Sequence, residues 1–233
     1  MQVGYRSPII ALKYLDHSMR DTQHAVTLPT NTLLNLHARL RVEDLVSHGL
    51  GPVSLSLGAG ECVCLSGPSG AGKTLLLRAI ADLDPHTGQV LLDGVECQRL
   101  RAHEWRRRVA MLPAESQWWW PTVGEHFLHA DAALVESLGF ERGVMAWQVS
   151  RLSSGERQRL ALLRMLAHQP QVLLLDEVSA NLDQENVRRV EALIGAYRAE
   201  HNAAVLWVSH DAEQIARIST RHYMLADGKL VNP

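Results

Sequence analysis

The sequence has no run of 18 apolar residues, so nothing in it reads as a membrane-spanning helix. Its start lacks the charged-then-apolar pattern of a secretory leader. Three cysteines in 233 residues are too few, and odd in number, for a disulfide framework. A formal net charge of −2 argues against a nucleic-acid-binding surface. Arg106-Arg107-Arg108 is locally basic but reads as a solvated helix face. Heptads and tandem repeats are absent too. The length suits one full-cored domain and leaves no room for a second of the same size.

What is present begins at residues 67–74: Gly67, Pro68, Ser69, Gly70, Ala71, Gly72, Lys73 and Thr74. The β-forming run Glu61–Ser66 precedes them and reads as a buried strand. Glycines at 67, 70 and 72 allow positive φ and close approach of backbone N–H groups to an anion. From Lys73 onward the chain is helix-forming and apolar nearly all round, which predicts a buried helix ending near Pro85. Its N-terminus would aim free N–H groups and a positive dipole end at phosphates. Lys73 is placed to reach the β- and γ-phosphates of a nucleoside triphosphate, and the Thr74 hydroxyl to ligate Mg²⁺.

A second apolar run, 171–175, ends in Asp176 and Glu177, as expected for a parallel strand covered on both faces. Ligand groups sit at the carboxyl ends of such strands. Asp176 suits a Mg²⁺ shell, and Glu177 suits the orientation or deprotonation of a water. Leu152-Ser153-Ser154-Gly155-Glu156 precedes a strong helix former, with Ser153 and Glu156 spaced as a capping box. Asp183 is spaced to cap a helix beginning near Glu185, with Val187, Val190, Leu193, Ile194 and Tyr197 on its buried face. Strands are expected at 108–112 and 203–209. Asp93-Gly94 and Asp227-Gly228 read as two-residue hairpin turns beside the parallel core. Cys62 and Cys64 share one strand face and read as buried apolar residues rather than metal ligands.

These motifs, with Ser209-His210-Asp211, occur in the order seen in ATP-binding cassette (ABC) ATPase domains, and the chain resembles a stand-alone ATP-binding subunit of an ABC transporter across about 39–233. That resemblance implies an α/β P-loop fold. It would have a mixed core sheet with flanking helices, an antiparallel β part, and a helical subdomain at about 118–168 nested within it. It implies ATP and Mg²⁺ as cofactors, a second copy of the chain and an integral membrane permease as partners, and no nucleic acid. It also implies a cytoplasmic place, peripheral on the inner face of the cell membrane. In that family each ATP lies between one copy's phosphate loop and the other's signature, here Ser153, Ser154 and Gly155. Asp183 would lie at the dimer seam, and His210 would contact the γ-phosphate and hold Glu177 and the water in line. A fainter likeness, carried by Ala204–His210 and the single-cassette layout, is to Fet-type iron or metal exporters. The rival classes are a soluble cassette ATPase of DNA repair or translation, and a nucleotide-binding regulator with little turnover.

The chain departs from the family at several points. Ser154 replaces a usual glycine. Ala114 stands where the family has a Gln near Mg²⁺ and the water; Glu115 is the preferred substitute ligand, with Gln117 or a retained water as alternatives. The adenine-stacking stretch is shortened and offers only His48, which leaves ATP and GTP both open. Trp118-Trp119-Trp120 either pack the helical subdomain or form part of the permease interface. Residues 1–38 match nothing in the family and are expected to be a poorly ordered extension whose deletion spares ATP hydrolysis.

Overall fold

The structure, a computed structural model, describes residues 38–127 and 131–231. The expected extension lies outside the described residues, except that Ala38 already belongs to the first strand. Strands β1 (Ala38–Ser47), β2 (Leu50–Gly58), β4 (Thr87–Leu92) and β5 (Val95–Glu96) form an antiparallel sheet in the order β2-β1-β4-β5. Its inward positions follow the pleat: Leu40 and Val42, Val53, Leu55 and Leu57, Val90 and Leu92 are all buried. The two expected Asp-Gly turns are present, with φ of 48° and 78° at Asp93-Gly94 and 49° and 71° at Asp227-Gly228. Positive φ at both central residues matches the strand twist. His48-Gly49 makes a third such turn, between β1 and β2.

The second sheet holds β3 (Cys62–Ser66), β6 (Val109–Leu112), β7 (Val172–Asp176), β8 (Ala204–Val208), β9 (Arg221–Ala226) and β10 (Lys229–Val231). Its order is β10-β9-β3-β8-β7-β6, and every pairing is parallel except β9 with β10. All residues of β7 and β8 are buried, as strands covered on both faces require. Alternation along them divides the core in two. Val63, Leu65, Leu174 and Leu206 face the layer shared with the antiparallel sheet, whereas Cys62, Cys64, Leu173, Leu175 and Trp207 face the opposite side. Both cysteines therefore lie buried on one strand face, as expected.

Helix α1 (Lys73–Ile80) lies between the two sheets, touching β1 on one side and β6 and β7 on the other. It stops at Ile80, short of the expected Pro85. The left-handed residue Asp82 (φ 56°) ends it, with Leu83 N–H on Arg78 O at 2.9 Å and Asp82 N–H on Ala79 O at 3.1 Å. Those bonds make a Schellman motif with Asp where Gly is usual. Trp105, from α2 (Ala102–Arg108), donates its indole N–H to Ile80 O at 2.9 Å. The arginines 106–108 are exposed, as a solvated face.

Helices α3 (Ala132–Ser137), α4 (Ser154–Leu166), α5 (Gln184–His201) and α6 (Ala212–Ile218) belong to the other face. Ser153 and Glu156 form the expected reciprocal box at the start of α4. Asp183 caps α5, accepting Asn186 N–H at 2.9 Å. Of the predicted buried face of α5, Val190, Leu193, Ile194 and Tyr197 are buried, whereas Val187, one turn from the exposed N-terminus, is only half-buried.

Candidate nucleotide-binding and hydrolysis site

Strand register assembles the site. Leu65 pairs with Val208 across β3 and β8, and Val208 pairs with Asp176 across β8 and β7. Three strands therefore end level, and the segments leaving them (the 67–74 loop, Ser209-His210 and Glu177) meet at one edge. This is the carboxyl edge, where parallel sheets collect ligand groups.

In the loop, Gly67 is pressed against β9: a Cβ there would sit 2.2 Å from Leu225 O, and its φ of 143° disfavours any side chain. Gly70 and Gly72 also have positive φ. Lys73 is 7 % exposed and its ammonium donates to Gly67 O at 2.9 Å and Pro68 O at 3.0 Å. It thus spans the loop, and phosphate oxygens would offer it stronger, charged acceptors.

Thr74 Oγ1 donates to Asp176 Oδ2 at 2.8 Å. Burial pushes the Asp176 carboxyl above its ordinary range and adjacent Glu177 adds to this, against the Thr74 bond and the Lys73 charge. A desolvated carboxylate and a hydroxyl one hydrogen bond apart are the oxygen donors a hard divalent cation prefers, and Mg²⁺ typically takes only one or two protein carboxylates.

Glu177 Oε1 lies 2.7 Å from His210 Nε2, and both side chains are partly open to solvent. Glu177 is itself in the left-handed region (φ 49°), held by its N–H on Val208 O at 3.2 Å and by Ala180 N–H on its carbonyl at 3.0 Å. Behind the pair is a network that the motifs did not announce. Gln214, 1 % exposed, accepts Ser179 Oγ–H at 3.0 Å and Ser209 Oγ–H at 2.8 Å on one carbonyl oxygen. Its amide N–H donates to Glu191 at 3.0 Å, and Glu191 also holds Arg217. One buried amide thus ties the segment after Glu177 to the residue before His210. The only signal in the sequence was a serine on each flank, and their common acceptor is visible only once β7 pairs with β8.

Ser153 and Ser154 are exposed at the tip of α4. Gly155 packs inward, where a Cβ would come within 2.9 Å of Leu182 in the segment leading to Asp183. Ser154 lines a cavity of about 860 Å³ together with Ala114, Glu115, Gln117, Trp119 and Glu177. Pro68–Gly72 instead line a separate hollow of about 310 Å³, with His48 and Gly228. One chain therefore brings together Lys73, Thr74, Asp176, Glu177 and His210, while its Ser154 lines the cavity of Glu177 and not the hollow of Pro68–Gly72. Glu115 is exposed and shares the cavity of Glu177, which Thr74 and Asp176 do not line.

The three tryptophans divide. Trp118 is half-buried against the core with the Arg164 guanidinium 4.6 Å from its ring, while Trp119 and Trp120 are 63 % and 53 % exposed. His126 Nε2 accepts both the Trp119 and Trp120 N–H groups at 3.0 Å, so its proton resides on Nδ1, facing Thr122 O at 3.0 Å.

A family model described as ABC transporter matches residues 50–180. The chain is 34 % identical over 179 residues to "Probable iron export ATP-binding protein FetA" of Escherichia coli (strain K12), spanning 71 % of this chain and 80 % of that one. It is 35 % identical over 216 residues to "Aliphatic sulfonates import ATP-binding protein SsuB 1" of Pseudomonas syringae pv. tomato, spanning 89 % and 75 %. Among solved structures, the ATP binding subunit of an ABC transporter superposes with a TM-score of 0.75 at 21 % identity, over 82 % of this chain and 87 % of that chain. A bacterial Atm1-family ABC exporter with ATP bound gives the same TM-score at 22 % identity, over 84 % of this chain and 38 % of that one. These two likenesses speak to the fold: an α/β cassette with a mixed core sheet and an antiparallel part. With a phosphate loop, paired acids and a histidine at one sheet edge, the chain belongs to the ABC transporter family, as an ATP-binding and ATP-hydrolysing subunit that energises a membrane partner.

Proposed function

We propose that two copies of this chain close head to tail around two ATP molecules, each gripped by Gly67–Thr74 of one copy and Ser153–Gly155 of the other. The serine tip, exposed and lining a hollow other than that of its own Pro68–Gly72, supports this reading. Within each site Lys73 takes the β- and γ-phosphates and the loop amides cradle them. Thr74 and Asp176 would hold Mg²⁺, which when bound neutralises charge developing on the phosphates. Glu177 accepts the proton of the attacking water as its oxygen bonds to the γ-phosphorus and the bond to the β-bridging oxygen breaks. His210 keeps Glu177 aligned, Glu115 assists at the water, and Asp183 meets the partner copy while capping α5. His48, beside the loop, carries the adenine.

The observation that carries the reading is the 2.7 Å Glu177–His210 contact at the edge where Asp176 meets Thr74. We assign 39–233 as the ATPase domain, with 118–168 as its nested helical part. Trp119 and Trp120, exposed beside Glu115, face an integral membrane permease, so the subunit works from the cytoplasmic face of the cell membrane. No helix among the described residues is long and apolar enough to cross that membrane. The relatives' names include both iron export and sulfonate import, and transport direction and cargo follow the permease. The Glu177→Gln variant tests the reading: with saturating ATP and Mg²⁺ it should elute as a dimer by light scattering. A monomer that binds ATP would overturn it.

A further inference from the structure

On the sheet face covered by α5 and α6, a cavity of about 440 Å³ is left unused by the function proposed above. Arg188, Glu191, Gly195 and Arg198 line it from α5, Arg217 from α6, and Trp207 of β8 from beneath. Three independent features mark it.

The first is charge. Three arginines face one carboxylate, and that carboxylate, Glu191, is already engaged by Arg217 at 2.8 Å. Arg188 and Arg198 form no ion pair among the described residues. The second is Gly195, in mid-helix, where glycine is the least favourable residue after proline. Its φ is not positive and an added Cβ would meet nothing within 4 Å, so neither backbone geometry nor packing calls for it. Its effect is to keep the hollow open. The third is Trp207, 1 % exposed, whose indole N–H has no acceptor among the described residues. Buried donors are rarely left unpaired.

We propose that this cavity binds a small organic anion, with a carboxylate or phosphate group held by Arg188 and Arg198, one of its oxygens accepting the Trp207 indole N–H, and an apolar body lying over Gly195. An anion that also draws on Arg217 competes with Glu191. Glu191 holds Gln214, and Gln214 holds both Ser179 and Ser209, so occupancy is transmitted to the Glu177–His210 pair. The transmission rests on the catalytic roles proposed above; the binding does not.

Calorimetric titration of the full chain with benzoate, phenyl phosphate and inorganic phosphate, with ADP saturating the phosphate loop, tests the site. At least one organic anion should bind with a Kd below about 1 mM. That affinity should fall about tenfold or more in Arg198→Ala and in Gly195→Leu. Leucine fills the hollow while favouring the helix, so a retained melting temperature separates a blocked site from a misfolded chain. Absence of binding by both organic anions, or binding unchanged in both variants, would overturn the site. Inorganic phosphate binding as tightly as phenyl phosphate would overturn the apolar half of the assignment. The tighter anion should change wild-type ATP turnover about twofold or more and leave Gly195→Leu unmoved. An unmoved wild-type rate beside intact binding would overturn the transmission alone. A failed Glu177→Gln dimer trap would bear on the catalytic reading and leave the binding result standing.

Discussion

Glu177 holds a backbone conformation that costs a residue with a side chain about 1–3 kcal/mol, and two backbone hydrogen bonds hold it there. The left-handed turn separates its direction from that of Asp176, so adjacent acids serve different partners: Asp176 meets Thr74 and Glu177 meets His210. Replacing Glu177 by Gln should therefore cut ATP turnover by about 10²–10⁴-fold while leaving ATP affinity nearly intact, as steady-state hydrolysis and equilibrium nucleotide binding will show. The loop around Ala114 carries two candidate polar side chains, Glu115 and Gln117. The Gln117 backbone carbonyl accepts from Arg164 at 3.0 Å, which fixes the loop there, and Glu115 and Gln117 both line the cavity of Glu177, but only Glu115 brings a carboxylate. Glu115→Ala should lower turnover more than Gln117→Ala; the reverse order in a hydrolysis assay would reject the role given to Glu115.

Single side chains also fasten the elements to one another. Gln214 joins α6 to the ends of β7 and β8 and to α5 through three hydrogen bonds. Gln214→Leu keeps the bulk but leaves the buried Ser209 hydroxyl and the half-buried Ser179 hydroxyl without their acceptor, a loss of about 1–3 kcal/mol. Chemical denaturation should register that loss, and kcat should fall more than the KM for ATP. Glu61 performs a similar task at the start of β3, accepting Gly58 N–H at 2.7 Å and Arg221 Nη2–H at 2.9 Å, with Thr220 close by. Burial pushes its carboxyl up, but hydrogen bonds from Arg221 and Gly58 outweigh that and hold it below the usual range. A carboxyl depressed on folding stabilises fully above its unfolded pKa, and that contribution fades as pH falls through the folded value. Glu61→Gln should thus lower the melting temperature near pH 7, and the gap to wild type should shrink near pH 3.

For the whole molecule, one sheet edge gathers Thr74, Asp176, Glu177 and His210, while the exposed Trp119 and Trp120 line the cavity of Glu177 on a loop pinned by His126 and Arg164. Since Trp118 alone packs on the core, replacing Trp119 and Trp120 together by Ala should change stability by no more than about 0.5 kcal/mol. ATPase activity of the isolated subunit should persist and its stimulation by the permease should be lost, measurable in reconstituted vesicles. Loss of basal hydrolysis as well would place the pair inside the catalytic loop rather than at the interface.

Much of this was legible in the chain because its causes are local. Glycines at 67, 70 and 72, the box between Ser153 and Glu156, the Asp183 cap and the Asp-Gly turns each act within a few residues, so their spacing alone carries the message. The alternation that sends Cys62 and Cys64 to one side of β3 and Val63 and Leu65 to the other is equally local. Tertiary structure alone decided the rest. The acceptor of the Trp105 indole N–H is Ile80 O, 25 residues away, the meeting of Glu177 with His210 depends on the register of β7 against β8, and the tie through Gln214 depends on that register and on the packing of α6. Hydrogen bonds between distant segments leave no period in a sequence, because their partners are chosen by strand pairing and packing rather than by spacing along the chain.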